Sequence, residues 1–100
     1  MHVISRKRLV RFGEGHSDAV KPLDAWYRLM KARRFTNWAE LKETFGTADL
    51  LGKGLVSFDI GGNKYRLIVN VRYTTDRNVG RVWIRHLFTH PEYDRWSKKR

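Results

Sequence analysis

The chain has 100 residues, 41% of them hydrophobic and 31% charged, with a formal net charge of +11. That length fits one domain with one modest core. The charge points to polyanionic partners (nucleic acid, ribosome, acidic protein or anionic membrane), because neutralising phosphates releases condensed counterions. The absence of cysteine excludes thiol nucleophiles, zinc–thiolate sites and disulfides, and fits a reducing compartment. No apolar run approaches the ~20 residues that span a bilayer, and the opening MHVISRKRLVRF lacks the apolar stretch of a signal peptide. A cytoplasmic protein with no membrane partner is the expectation.

Met1 to Ile4 is short, apolar and β-compatible. Ser5, a good N-cap, precedes the basic stretch Arg6-Lys7-Arg8-Leu9-Val10-Arg11-Phe12. Leu9 and Phe12 lie three apart on one helical side, and Gly13 and Gly15 end this helix. A second helix carries Leu23, Trp26, Tyr27 and Met30 at i, i+3, i+4 and i+7, the spacing of a core stripe rather than of a cofactor box. Pro22 suits its first turn, and Lys31, Arg33 and Arg34 suit the negative end of its dipole. Asn37-Trp38-Ala39-Glu40 has an N-cap followed three residues on by an acid, so a third helix turns Trp38, Leu41 and Phe45 inward and stops at Gly46. Thr47 to Gly54 reads as a loop.

Val56 to Arg72, VSFDIGGNKYRLIVNVR, reads as two strands joined at Gly61-Gly62-Asn63, residues that tolerate the positive φ of a tight turn. Val56, Phe58, Ile60, Leu67, Val69 and Val71 fall on one face by period two. The other face carries Asp59, Arg66, Asn70 and Arg72. After a turn-rich Thr74–Gly80, Arg81 to Thr89 reads as a third strand. Val82, Ile84, His86 and Phe88 alternate there with Arg81, Trp83, Arg85 and Leu87, and neither set is purely apolar. Thr89-His90-Pro91-Glu92 has capping-box spacing, and a helix starting there sets His90 and Tyr93 three apart on neighbouring surface. The fold class is α+β: a short N-terminal strand plus a three-stranded meander in an antiparallel sheet, with two or three helices packed on one face.

No phosphate loop and no H-E-x-x-H pair is present, and Gly13 to Gly15 is too short for a dinucleotide fingerprint. His86 and His90 straddle a strand and a helix cap, so neither a metal nor another cofactor is expected. What remains is a set of cations, histidines and a tyrosine around a sheet. RNA cleavage by internal attack uses such a set: a proton leaves the 2′-hydroxyl, charge develops on the phosphorane, and the 5′-oxygen gains a proton. His90 is the candidate for the proton role, against an ordinary helix-cap residue. Arg66 is the candidate phosphate ligand, against an exposed strand cation, and Tyr93 could stack on a base or cover the core edge. Lys64, Asn63 and Arg85 are secondary RNA contacts, and Arg6, Arg8 and Arg11 form a solvated face that touches phosphate without chemistry.

The opening MHVIS, the mid-chain IGGNKYRLIV and the late block WIRHLFTHPEYD resemble the HigB toxin family within the RelE-like group, in order along nearly the whole chain. The resemblance implies a compact antiparallel sheet with helices on one face. It implies the toxin of a type II toxin–antitoxin pair, an endoribonuclease that cuts mRNA held in the ribosomal A site. The implied partner is a HigA-like helix-turn-helix antitoxin that neutralises the toxin, and operator DNA is reached only through that complex. The family's motif positions match at Asn63, Arg66, His90 and Tyr93. Against the family pattern, His86 stands in place of an acidic residue and the N-terminal helix is unusually charged. The alternative is a non-catalytic basic module that binds RNA or the ribosome, which exposed aromatics and charge would serve equally well.

Overall fold

The hairpin lies in the interior of a five-stranded sheet of order β1-β5-β4-β3-β2. The computed structural model describes residues 1–100. In chain order the elements are β1 (His2–Ile4), α1 (Arg6–Gly15), a single 3-10 turn (Ser17–Ala19), α2 (Val20–Ala32), α3 (Trp38–Thr44), β2 (Asp49–Gly52), β3 (Leu55–Ile60), β4 (Tyr65–Arg72), β5 (Arg81–Thr89) and α4 (His90–Lys98). β3 and β4 pair antiparallel from Leu55↔Asn70 to Ile60↔Tyr65, closed by a turn in which Gly61 and Gly62 take φ of 64° and 75°. A side chain at either position would strain the backbone.

The α+β class holds, with two differences from the sequence reading. The segment Thr47–Gly54 is not all loop, because Asp49–Gly52 forms β2, antiparallel to β3. Four residues are too few to display alternation, and Gly52, Lys53 and Gly54, all at positive φ, made the whole stretch read as turn. The sheet is mixed rather than antiparallel, since β1 runs parallel to β5 with His2↔Arg81, Val3↔Val82 and Ile4↔Trp83. A three-residue strand carries no pattern that fixes its direction. The helices follow the reading: α1, α2 and α3 share the apolar face, and the terminal α4 lies over the other one.

The apolar face behaves as periodicity predicts. Val56, Phe58, Leu67, Val69, Val82 and Ile84 are buried against Leu9, Leu23, Trp26, Met30 and Leu41. Phe58 sits edge-on to both Trp26 and Phe45, with ring centroids 5.4 and 5.0 Å apart. The caps also fall where read: Asn37 accepts from the Glu40 amide at 2.9 Å, and Thr89 and Glu92 complete a reciprocal capping box. Ser5 occupies the N-cap position of α1 but makes no side-chain cap bond.

The ambiguity of β5 has a structural answer. Ile68 pairs with His86 but Val69 pairs with Ile84, so Arg85 is an extra residue, a β-bulge. The bulge reverses the alternation halfway along the strand. Val82 and Ile84 face the core before it, and Leu87 packs on the core after it. Trp83, His86 and Phe88 share the opposite face. The Arg8 guanidinium holds the bulge from α1, donating to the carbonyls of Ile84 and, at 3.0 Å, of Arg85. β1 reaches only as far as Trp83 on that edge, so Arg8 satisfies carbonyls that would otherwise stand open.

Candidate functional site

The second sheet face has one cross-strand row of Asp59, Arg66 and Phe88 and a neighbouring row of Ser57, Ile68 and His86. α4 lies over these rows. The Trp96 ring sits 5.3 Å from His86 and 5.5 Å from Phe88, and His86 stacks on Phe88 at 5.0 Å. Ser57 and Ile68 are buried in consequence. The face is therefore not simply polar. Its centre is an aromatic cluster with charge around it.

Arg66 is the pivot of this face. Its side chain is only 14% exposed, and its Nη1 lies 3.1 Å from Asp59 Oδ1. The same nitrogen donates to the carbonyl of Asn63 at 3.2 Å, and the guanidinium carbon stands 5.5 Å from the centre of the Tyr93 ring. A fork held by a carboxylate, a turn carbonyl and an aromatic face is oriented before any ligand arrives. Arg66 and Tyr93 thus share one surface, as the alternation of β4 and the cap at Thr89 predict.

His90 opens α4. Its amide donates to the Lys64 carbonyl at 3.0 Å, which fastens the start of α4 to the hairpin turn. Its Nδ1 lies 3.2 Å from Asp94 Oδ2, one helical turn on. A carboxylate on Nδ1 fixes the tautomer and leaves Nε2 for other chemistry.

A different cluster takes the neighbouring cations. Lys64 Nζ is 2.6 Å from Asp18 Oδ2, and the Tyr65 hydroxyl donates to Asp18 Oδ1 at 2.5 Å. These bonds, led by that from Lys64, hold the Asp18 carboxyl below its usual range, and the bond to Asp18 holds the Lys64 ammonium above its own. Phe12 and His16 stack 4.0 Å apart beside Tyr65.

The matching family model is HigB_toxin, the RelE-like toxic component of a toxin–antitoxin system, and it covers residues 19–96. The chain belongs to the HigB toxin family. Among curated proteins none matches it. As the toxic component of such a system, a HigB-family chain has an antitoxin as its partner. No helix is long and apolar enough to cross a membrane.

Of the residues singled out in this HigB-family chain, the structure brings together Arg66, Tyr93 and the Asn63 carbonyl, with His90 at the adjoining helix start. Lys64 faces Asp18 instead, and Arg8 is engaged by the bulge carbonyls. Arg6 lies over the Tyr27 ring at 5.2 Å, on the α1–α2 side of the sheet. Arg11 and Arg85 are exposed, Arg11 lining a shallow groove with Phe12, His16 and Leu87. Sequence reasoning missed Trp96 and Phe88. The available signal was the i, i+3 spacing of Tyr93 and Trp96, an aromatic stripe that needs a surface to cover.

His86 is the titratable group inside the aromatic cluster. Burial first, then the Arg8 and Arg85 charges, push its pKa below the ordinary histidine range. The unfolded chain therefore binds the extra proton more readily. The stability this gives is present above about pH 6.5 and is lost as pH falls from there toward the folded value. Thermal melts between about pH 7 and pH 5 should show a falling midpoint in the wild type and a flatter profile in His86→Gln. Equal slopes would remove His86 as the cause.

Proposed function

We propose that this toxin is an endoribonuclease that cuts mRNA by attack of the 2′-hydroxyl on the adjacent phosphate, with the ribosomal A site as the place of action. The observation that carries the reading is the oriented Arg66 guanidinium on the Tyr93 ring, next to the His90–Asp94 pair. Arg66 binds the phosphate and stabilises the charge of the phosphorane, where a fixed donor is worth more than a mobile one. Tyr93 stacks on the base beside the scissile bond. His90, its Nδ1 turned to Asp94, takes the 2′ proton through Nε2. The 2′-oxygen–phosphorus bond forms, the phosphorus–5′-oxygen bond breaks, and the departing oxygen takes a proton from solvent. The products are a 2′,3′-cyclic phosphate and a 5′-hydroxyl.

The net charge of +11 supports a ribosome-held substrate, since cations speed encounter with a polyanionic assembly. The antitoxin is HigA-like, with a helix-turn-helix domain, and brings the complex to operator DNA. Mapping mRNA ends after induction tests the reading. New 5′-hydroxyl ends within translated frames, absent when initiation is blocked and insensitive to EDTA, are expected. Intact transcripts that nonetheless co-purify with the protein would favour a non-catalytic RNA-binding module.

A further inference from the structure

The second sheet face continues beyond the part that α4 covers. At the far end of β4 and β5, Arg72 pairs directly with Arg81, and Arg81 pairs in turn with His2 of β1. All three are exposed. The adjoining row on the same face is Asn70, Trp83 and Ile4. The Arg72 guanidinium carbon stands 5.9 Å from the centre of the Trp83 ring. None of the protein's ion pairs includes Arg72, Arg81 or His2.

Like charges directly opposite on neighbouring strands destabilise a sheet. Two arginines at the ~5 Å spacing of paired strands, with no carboxylate between them, are therefore a cost to the free protein. An anion seated between them removes that cost. Planar guanidinium groups select phosphate through paired N–H donors. A half-buried tryptophan beside them offers a ring plane for a base, and base–aromatic stacking tolerates any sequence. An acidic peptide would use the charge but not the ring.

We propose that Arg72, Arg81, His2 and Trp83 form a second, non-catalytic RNA site, which takes the phosphodiester of a single strand on the two arginines and a base on Trp83. Arg66 and Arg72 are six residues apart along β4, so this site lies roughly 20 Å from the Arg66–Tyr93 site on the same face. One RNA strand can run across both. The inference rests on the reading above only in taking RNA as the polyanion.

The test uses a 2′-O-methyl RNA of ~12 nucleotides, which binds but offers no 2′-hydroxyl for cleavage. In anisotropy titrations, Arg72→Ala/Arg81→Ala should bind on the order of tenfold more weakly. The slope of log affinity against log salt should shrink by about 1.4, two phosphates' worth for a single strand. Trp83→Ala should also bind on the order of tenfold more weakly while Trp83→Phe retains binding. The free double variant should melt no lower than the wild type, because it loses a repulsion. Wild-type affinity and slope in both the double variant and Trp83→Ala would overturn the site. So would a lowered midpoint accompanying the loss, which makes the row structural. Unchanged RNA binding with lost antitoxin binding would also overturn it and assign the surface to an acidic protein. A chain that binds the probe through these residues yet never cuts natural RNA leaves this site standing and removes the endoribonuclease reading. A chain that cuts RNA while the variants bind normally does the reverse.

Discussion

Arg66→Ala should lower RNA cleavage by about 10²- to 10³-fold, the usual cost of removing one fixed donor from a developing charge, and should relieve growth arrest on expression without the antitoxin. The effect is large because the guanidinium is oriented in advance by Asp59, the Asn63 carbonyl and the Tyr93 ring. Arg66→Lys should recover only part of the rate, since an ammonium keeps the charge but not the planar fork. The substitution also leaves Asp59, only 22% exposed, without its partner, which costs about 1–3 kcal/mol. A melting curve therefore belongs with the rate. A folded Arg66→Ala protein that remains fully toxic would place the phosphate ligand elsewhere.

His90→Ala should lower cleavage by about 10²- to 10⁴-fold, the range for a positioned general base or acid. The backbone bond from residue 90 to the Lys64 carbonyl survives in alanine, so the start of α4 stays fastened to the hairpin turn. Asp94→Asn keeps the helix and removes the carboxylate from Nδ1. It should give a smaller loss than His90→Ala, because the imidazole stays in place without its orienting partner. If His90 serves only as the first residue of α4, single-turnover cleavage by His90→Ala will equal that of the wild type, and the proton role passes to another group.

The parts of this molecule that could be read from its sequence are those whose causes are local. Leu23, Trp26 and Met30 show helical spacing because one helix face must be buried. Asn37 and Thr89 sit where orphan amides need an acceptor. The alternation from Val56 to Val71 gives one face of a hairpin, and the rest of that face follows. From the same logic Arg66 falls on the outer face and Tyr93 lies one turn past a cap, which is enough to bring the two together. What could not be read depends on partners distant along the chain. The bulge at Arg85 exists because Ile84 and Leu87 both need the core, and only pairing with β4 reveals the skipped residue. Lys64 looked free because Asp18, its partner, is 46 residues away. Arg8 looked like a phosphate contact because the carbonyls it satisfies belong to β5. His86 and Trp96 became neighbours only once α4 folded onto the face that the alternation of the hairpin had marked as polar.

The parallel pairing of β1 with β5 also governs when the protein can be finished. His2 meets Arg81, so the sheet closes on its first strand only after β5 is available, whereas β2, β3 and β4 join through neighbouring turns. Contacts of such sequence separation form late, because the intervening chain must first be ordered. The His90–Tyr93 turn lies later still. During synthesis β2, β3 and β4 can assemble while the proposed cleavage site lacks its histidine and tyrosine and the arginine row lacks Arg81 of β5. A nascent copy therefore stays without a complete site until α4 emerges, by which time an antitoxin already present can meet it.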